Sequence, residues 1–240
     1  MTYCVGLLLD AGMVLLSDTR TNAGLDNIAQ YRKTFIFEEP GERVIAILTA
    51  GSLSVTQTTI ARLEEAVSDP VTDEYSVMSA PSMLQVAQVI GRTLSDVSAD
   101  IQARMDRAAQ TATASMIVAG QRRGGGMRMF LIYPEGNFIE ATADTPFLQI
   151  GEHKYGKPIL DRVVTPETSL TDARKAVLLS MDSTLRSNLS VGMPLDLTVI
   201  QKDAFRVTER RRIEAEDTDF QEMSRAWSQA LRDAFLDAKA

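Results

Sequence analysis

The chain has 240 residues, 45% hydrophobic and 24% charged, with a formal net charge of −7. That length and balance favour one globular domain, 1–240, and an acidic surface that repels the phosphates on which nucleic-acid binding depends. No apolar run approaches the ~18 residues of a membrane span, no cationic secretory signal opens the chain, and the single Cys4 precludes an internal disulfide framework. A cytoplasmic protein is expected, without membrane or nucleic-acid partners.

Residues 3–9 form a short apolar run, Asp10-Ala11-Gly12 is turn chemistry, and Met13–Leu16 is a second run ending at Ser17-Asp18. Runs this continuous suit strands covered on both faces. A second hairpin follows, with strands at 33–37 and 43–49 around Glu38-Glu39-Pro40-Gly41. Ala50-Gly51-Ser52 then opens a helix that places Thr56, Ile60 and Leu63 on one face. Residues 70–80 read as a loop. From Ser82 to about Ala109, Leu84, Val86, Val89, Ile90, Leu94 and Val97 fit a long amphipathic helix.

Further strands are expected at 114–119, 127–133, 137–142 and 147–151, a helix from Leu170 to Arg186, and a strand from Leu195 to Ile200. Phe220, Met223, Trp227, Leu231 and Phe235 recur at spacings of three and four, which gives a tail helix over about 218–239. The Arg210–Arg212 cluster, flanked by Glu209, Glu214, Glu216 and Asp217, reads as a mixed, solvated face. Gly124-Gly125-Gly126 lies in a hairpin turn and lacks the strand–loop–helix setting of a phosphate loop. Nothing points to a nucleotide, another cofactor or a metal. The element order suggests two packed sheets with helices outside, an α+β sandwich.

The chemistry concentrates at the open ends of the two hairpins. An antiparallel hairpin turning near Ala11 places Thr2 opposite residues 19–21 and brings Asp18 within a residue of it. Cross-strand neighbours lie about 4.5–5.5 Å apart. The second hairpin carries Lys33 toward Gly51. A threonine at an amino terminus combines a nucleophilic hydroxyl with an α-amine base of pKa about 7.7–8.0. Lys33 as a cation would lower the hydroxyl pKa, Asp18 would hold that lysine charged, and the Gly51 amide before a helix would stabilise an oxyanion. Taken singly, each has a plainer reading. Asp18 can start a turn, Lys33 can be a solvated edge charge and Gly51 a helix lead-in. Cys4 reads as core packing, His153 as a surface turn residue, and Met78, Met83 and Met105 as filler.

Taken together, Thr2, Leu16-Ser17-Asp18-Thr19-Arg20-Thr21-Asn22, Lys33 opening a strand and Thr49-Ala50-Gly51-Ser52 before a helix resemble proteasome β subunits and the peptidase subunit of the bacterial two-component protease. The fuller resemblance is to the bacterial ancestral β-subunit family, Anbu. It rests on the opening Met1-Thr2-Tyr3-Cys4-Val5, on Ser17 to Gly24 and on Arg186-Ser187-Asn188-Leu189-Ser190-Val191-Gly192. This likeness implies a four-layer αββα Ntn-hydrolase fold and a threonine peptidase whose Thr2 is exposed by removal of Met1. It implies Thr2 as nucleophile, Asp18 and Lys33 as activating partners and Gly51 in the oxyanion hole. Substrate contacts are implied around Thr21, Asn22, Thr49 and Leu53. Identical subunits are expected in a ring or open helical stack whose chamber admits peptide or unfolded protein.

The sequence also departs from the proteasome pattern. Where those subunits carry a Gly-Ser-Gly turn, this chain reads Ile150-Gly151-Glu152-His153. The Asp and Ser that steady the amine fall near Asn188 and Ser190, with Asp182 a competing candidate. These departures point to weak hydrolysis of ordinary peptides. Two alternatives stand beside the peptidase: an Ntn amidase or ligating acyl-transfer enzyme acting on a special amide, and an inactive oligomeric scaffold that retains Met1.

Overall fold

The computed structural model describes residues 2–22, 28–69, 74–105 and 112–238. Strand β1 (Tyr3–Leu9) turns into β2 (Gly12–Asp18), and both are buried almost end to end. Two three-residue strands follow, β3 (Arg20–Asn22) and β4 (Ile28–Gln30). The second long hairpin is β5 (Thr34–Glu39) and β6 (Arg43–Gly51). Helices α1 (Leu53–Ser68) and α2 (Met83–Met105) come next. Then come β7 (Ala114–Arg122), β8 (Arg128–Ile132), β9 (Phe138–Glu140) and β10 (Phe147–Gly151). The chain continues through α3 (Lys157–Val163), α4 (Leu170–Ser187), β11 (Leu195–Gln201), β12 (Glu209–Ile213) and α5 (Thr218–Asp237).

Two five-stranded antiparallel sheets, ordered β10-β1-β2-β11-β12 and β5-β6-β7-β8-β9, form the centre. Strand alternation sends successive side chains to opposite faces, and every central strand has apolar residues on both. Val5, Leu7, Val14, Leu16, Leu197 and Val199 point to α3 and α4. Ile45, Ile47, Met116, Val118, Phe130 and Ile132 point to α1 and α2. The opposite parity (Cys4, Met13, Leu15, Val44, Ala46, Leu48, Ile117 and Ala119) fills the space between the sheets. The result is the four-layer αββα sandwich, and it accounts for runs too apolar for a half-exposed sheet. Cys4 is fully buried there, and Met83 is a core residue of α2.

Several elements differ from the sequence reading. Leu84, placed on the apolar face of the long helix, is 37% exposed, and Met83 takes the buried position. That helix is described to Met105, and its expected end near Ala109 lies outside the described residues. The Arg210–Arg212 cluster is exposed, as the solvated face read from the sequence requires, and it lies on the edge strand β12, paired to β11. Arg212 bonds Asp196 at 2.9 Å and Arg211 bonds Asp217 at 2.6 Å. Charged side chains on an edge strand guard it against unwanted pairing, and they also conceal its strand periodicity. Helix α3 went unread because seven residues with Leu160 alone buried carry no periodic signal.

The tail helix α5 is capped by Asp217, whose carboxylate accepts the Phe220 N–H at 2.9 Å. It docks on α4 through Ser224, whose hydroxyl donates to Asp182 at 2.7 Å. Past Trp227, which lines a cavity with Ile159 and Leu179, the helix leaves the body, and Leu231, Phe235 and Leu236 are 52%, 79% and 77% exposed. Among the described residues, no helix is long and apolar enough to cross a membrane.

Candidate active site

The β1–β2 register pairs Cys4 with Ser17, which carries Asp18 to the level of Tyr3, one residue from Thr2. Asp18 is fully buried. Its Oδ1 accepts from Lys33 Nζ at 2.7 Å and from the Tyr3 N–H at 3.1 Å, and its Oδ2 accepts from the Gly192 N–H at 3.2 Å. Burial raises the carboxyl pKa above the ordinary carboxylate value, against the opposing pull of Lys33 and of the two amides. Lys33 also donates to the Arg20 carbonyl at 2.6 Å. This lysine sits just before β5, in the other sheet.

The open ends of the two hairpins therefore meet. The Ser17 and Thr34 hydroxyls bond at 2.8 Å across the sheets, and the Cys4 thiol donates to the Thr49 carbonyl at 3.5 Å. Lys33 lies opposite Thr49, whose N–H donates to the Lys33 carbonyl at 2.9 Å. Burial pushes the Cys4 thiol pKa far up, so this cysteine is packing and not a nucleophile.

Thr2 is 8% exposed and is seated by Gly151 and Glu152. Its carbonyl accepts the Glu152 N–H at 2.7 Å. Gly151 has φ +81, and a Cβ there would collide with the Thr2 carbonyl oxygen. Only glycine tolerates both conditions. His153 is exposed, with Nδ1 3.1 Å from the Gly151 carbonyl. The Tyr3 hydroxyl bonds Ser180 Oγ at 2.5 Å and accepts from Gln149 at 2.6 Å, and burial pushes the phenol up to about 12. Tyr3 thus ties the residue after Thr2 to α4 and β10.

A cleft of about 340 Å³ opens over this arrangement. Thr2, Thr21, Lys33, Thr49, Gly51 and Leu53 all line it, so six residues singled out in the sequence share one cavity. Arg32, Ala50, Ser52 and Thr56 complete the wall and were not singled out as site residues. Leu53 and Thr56 stand three apart on the first turn of α1, so helical spacing puts both on one face. Arg32 carried only its adjacency to Lys33. Gly51 has φ +110, and a Cβ would strike the Thr113 carbonyl. Ser52 caps α1, which has no acidic residue in its first turn. The positive end of the helix dipole therefore faces the cleft uncompensated.

Of the remaining expected residues, Asn188, Ser190 and Asp182 lie away from the cleft wall. Asn22 is in β3, and its side chain falls outside the described residues. Asn188 caps the end of α4, and its Oδ1 accepts the Ser190 N–H at 2.9 Å. Neither of these two lines the cleft; their turn reaches the site through Gly192, whose amide holds Asp18. Asp182 bonds Arg186 at 3.1 Å and Ser224 at 2.7 Å, which makes it a link between α4 and α5. The described residues contain no group of three or more His, Cys, Asp or Glu side chains that could hold a metal ion.

The αββα layers, with Thr2 heading β1 above a buried Asp–Lys pair, define a proteasome-type Ntn fold. The proteasome subunit family matches residues 2–200. Anbu from a Hyphomicrobium strain is 48% identical with a TM-score of 0.89, covering 99% of this chain and 98% of that one. Anbu (ancestral beta-subunit) from Yersinia bercovieri is 41% identical with a TM-score of 0.91, over 99% and 98%. The helical assembly of the Anbu complex from Pseudomonas aeruginosa contains a chain 43% identical with a TM-score of 0.93, over 99% and 97%. No curated protein matches the sequence. The chain belongs to the proteasome subunit family, in its Anbu branch.

Proposed function

We propose that the chain is a single threonine peptidase domain of a cytoplasmic homo-oligomer, active once Met1 has been removed. The observation that carries this reading is the buried Asp18–Lys33 pair, 2.7 Å apart, in which Lys33 reaches the same cleft as Thr2. A buried ion pair is weak evidence for stability, because desolvation offsets much of its attraction. A lysine that shares a cleft with a terminal hydroxyl has a clear chemical use.

In this mechanism the free Thr2 amine, with a pKa of about 7.7–8.0 before perturbation, takes the proton of the Thr2 hydroxyl. The Lys33 ammonium stabilises the negative charge that develops on Oγ1 as it attacks the peptide carbonyl. The resulting oxyanion is stabilised by the Gly51 amide and the amino end of α1. Collapse transfers the proton from the amine to the leaving amino group and leaves an ester on Thr2. Water then attacks the ester, the amine serving again as base, and releases the acid. Asp18 aims Lys33 through their 2.7 Å ion pair. Asn188 and Ser190 act through their turn, which delivers the Gly192 amide to Asp18. Thr21, Thr49, Leu53 and the β3 strand containing Asn22 hold the substrate.

The partners follow from the surface. Leu231, Phe235 and Leu236 form an exposed apolar stripe on α5, of the kind that marks an association site. A relative 43% identical occurs in a helical assembly, so the proposed cover is a second copy of this chain. The peptidase is tested with a peptide epoxyketone, which reacts with both the hydroxyl and the amine of an amino-terminal threonine. Wild type should gain one inhibitor mass and Thr2→Ala none. Equal behaviour of the two would end the threonine mechanism.

A further inference from the structure

The cleft has a charge asymmetry that the peptidase chemistry does not use. Among the described residues, none that lines it is acidic. Of its two cations, Lys33 is committed to Asp18 and to the Arg20 carbonyl. Arg32 is exposed and forms no ion pair or hydrogen bond among the described residues. The helix end at Ser52 and Leu53 adds partial positive charge from the same side. The hydroxyls of Thr21 and Ser52 add polar groups to the wall, while those of Thr49 and Thr56 donate to the Lys33 and Leu53 carbonyls. Among the described residues, an anionic side chain entering this cavity meets the Arg32 guanidinium and no opposing carboxylate. A cationic one meets repulsion, although the protein as a whole carries a net charge of −7. The local field is opposite in sign to the global one, and local groups dominate because distant charges are screened beyond about 8 Å at physiological salt.

We infer that Arg32 is a specificity-determining residue, and that the cleft selects peptides with a carboxylate-bearing residue, Asp or Glu, beside the scissile bond. This rests on the peptidase reading above, since it assigns a substrate class to the same site. The guanidinium presents a planar fork of donors that matches a carboxylate bidentately, and an amide isostere of equal size cannot replace the charge. Long apolar residues would use only the Leu53 side of the wall.

The test is a matched set of peptide epoxyketones with Glu, Gln, Leu or Lys beside the warhead, read as labelling rate by intact-protein mass spectrometry. The expected order is Glu first and Lys last, with a Glu-to-Gln ratio of about three to ten for a partly exposed charge pair. Arg32→Gln should bring that ratio to about one, and raising salt to about 1 M, where screening acts within about 3 Å, should shrink it in wild type. Arg32 is exposed, so the substitution leaves the core intact. A parallel measurement uses fluorescein-labelled Glu and Gln peptides binding to Thr2→Ala, read by anisotropy, and needs no turnover. Labelling with no Glu preference overturns the inference and leaves the threonine mechanism standing. Absence of all labelling overturns the mechanism, and the anisotropy ratio then decides the carboxylate preference alone: a ratio near one overturns it.

Discussion

Replacing Lys33 by methionine probes stability and chemistry through one atom. Methionine keeps most of the side-chain volume but leaves the carboxylate of Asp18, fully buried, without its cation. Breaking a buried pair by removing one partner costs about 3–5 kcal/mol. Asp18 keeps the Tyr3 and Gly192 amides at 3.1 and 3.2 Å, so the lower end, about 3 kcal/mol, is expected. For a chain of this size that lowers Tm by about 6–12 °C.

The pH dependence has a definite sign. The folded Asp18 pKa is already raised by burial, and loss of Lys33 removes what opposed that shift. A native state that binds its proton more tightly than the unfolded chain loses stability as pH rises. The loss runs from the unfolded carboxyl value of about 3.9 up through the higher folded value, and then levels off. Denaturation midpoints of Lys33→Met and wild type should therefore lie closer at pH 5 than at pH 8. A gap below about 1 kcal/mol, or one independent of pH, would mean that Asp18 is satisfied without Lys33 and would refute this account.

Gly51→Ala forces φ +110 on an alanine and drives Cβ into the Thr113 carbonyl, so a loss of about 2 kcal/mol or more in thermal denaturation is expected, together with loss of epoxyketone labelling. Gly151→Ala displaces the Thr2 carbonyl and should slow labelling more than it lowers Tm. Tyr3→Phe leaves Ser180 and Gln149 without the hydroxyl they share and should cost about 1–3 kcal/mol by chemical denaturation. Leu231→Glu combined with Phe235→Glu should reduce the particle mass in light scattering without changing the circular dichroism, because both side chains are exposed. An unchanged mass would remove α5 from the assembly.

Most of the site was legible because it lies on hairpins, where turn position sets register. The turn near Ala11 brought Asp18 to Thr2, and the observed Cys4–Ser17 pair agrees. The meeting of the two hairpins was not legible, because the Ser17–Thr34 and Lys33–Asp18 contacts join different sheets. The layers were readable from apolar runs such as Val14-Leu15-Leu16, whose neighbouring residues serve different cores. Strand β12 hid behind its arginines, and α3 was too short for periodicity. Asp182 was drawn toward the site by its type, although its partner Ser224 lies 42 residues on and no local pattern announces it. Arg32 was invisible because exposure and lack of a partner are properties of the folded wall.

Everything chemical depends on a free amine at Thr2. Intact mass of the purified protein, followed by reaction with a peptide epoxyketone, reads that amine and its hydroxyl together. The predicted result is a chain beginning at Thr2 that gains one inhibitor mass, with Thr2→Ala unmodified. A chain that keeps Met1 and stays unlabelled would contradict the peptidase and leave an oligomeric scaffold.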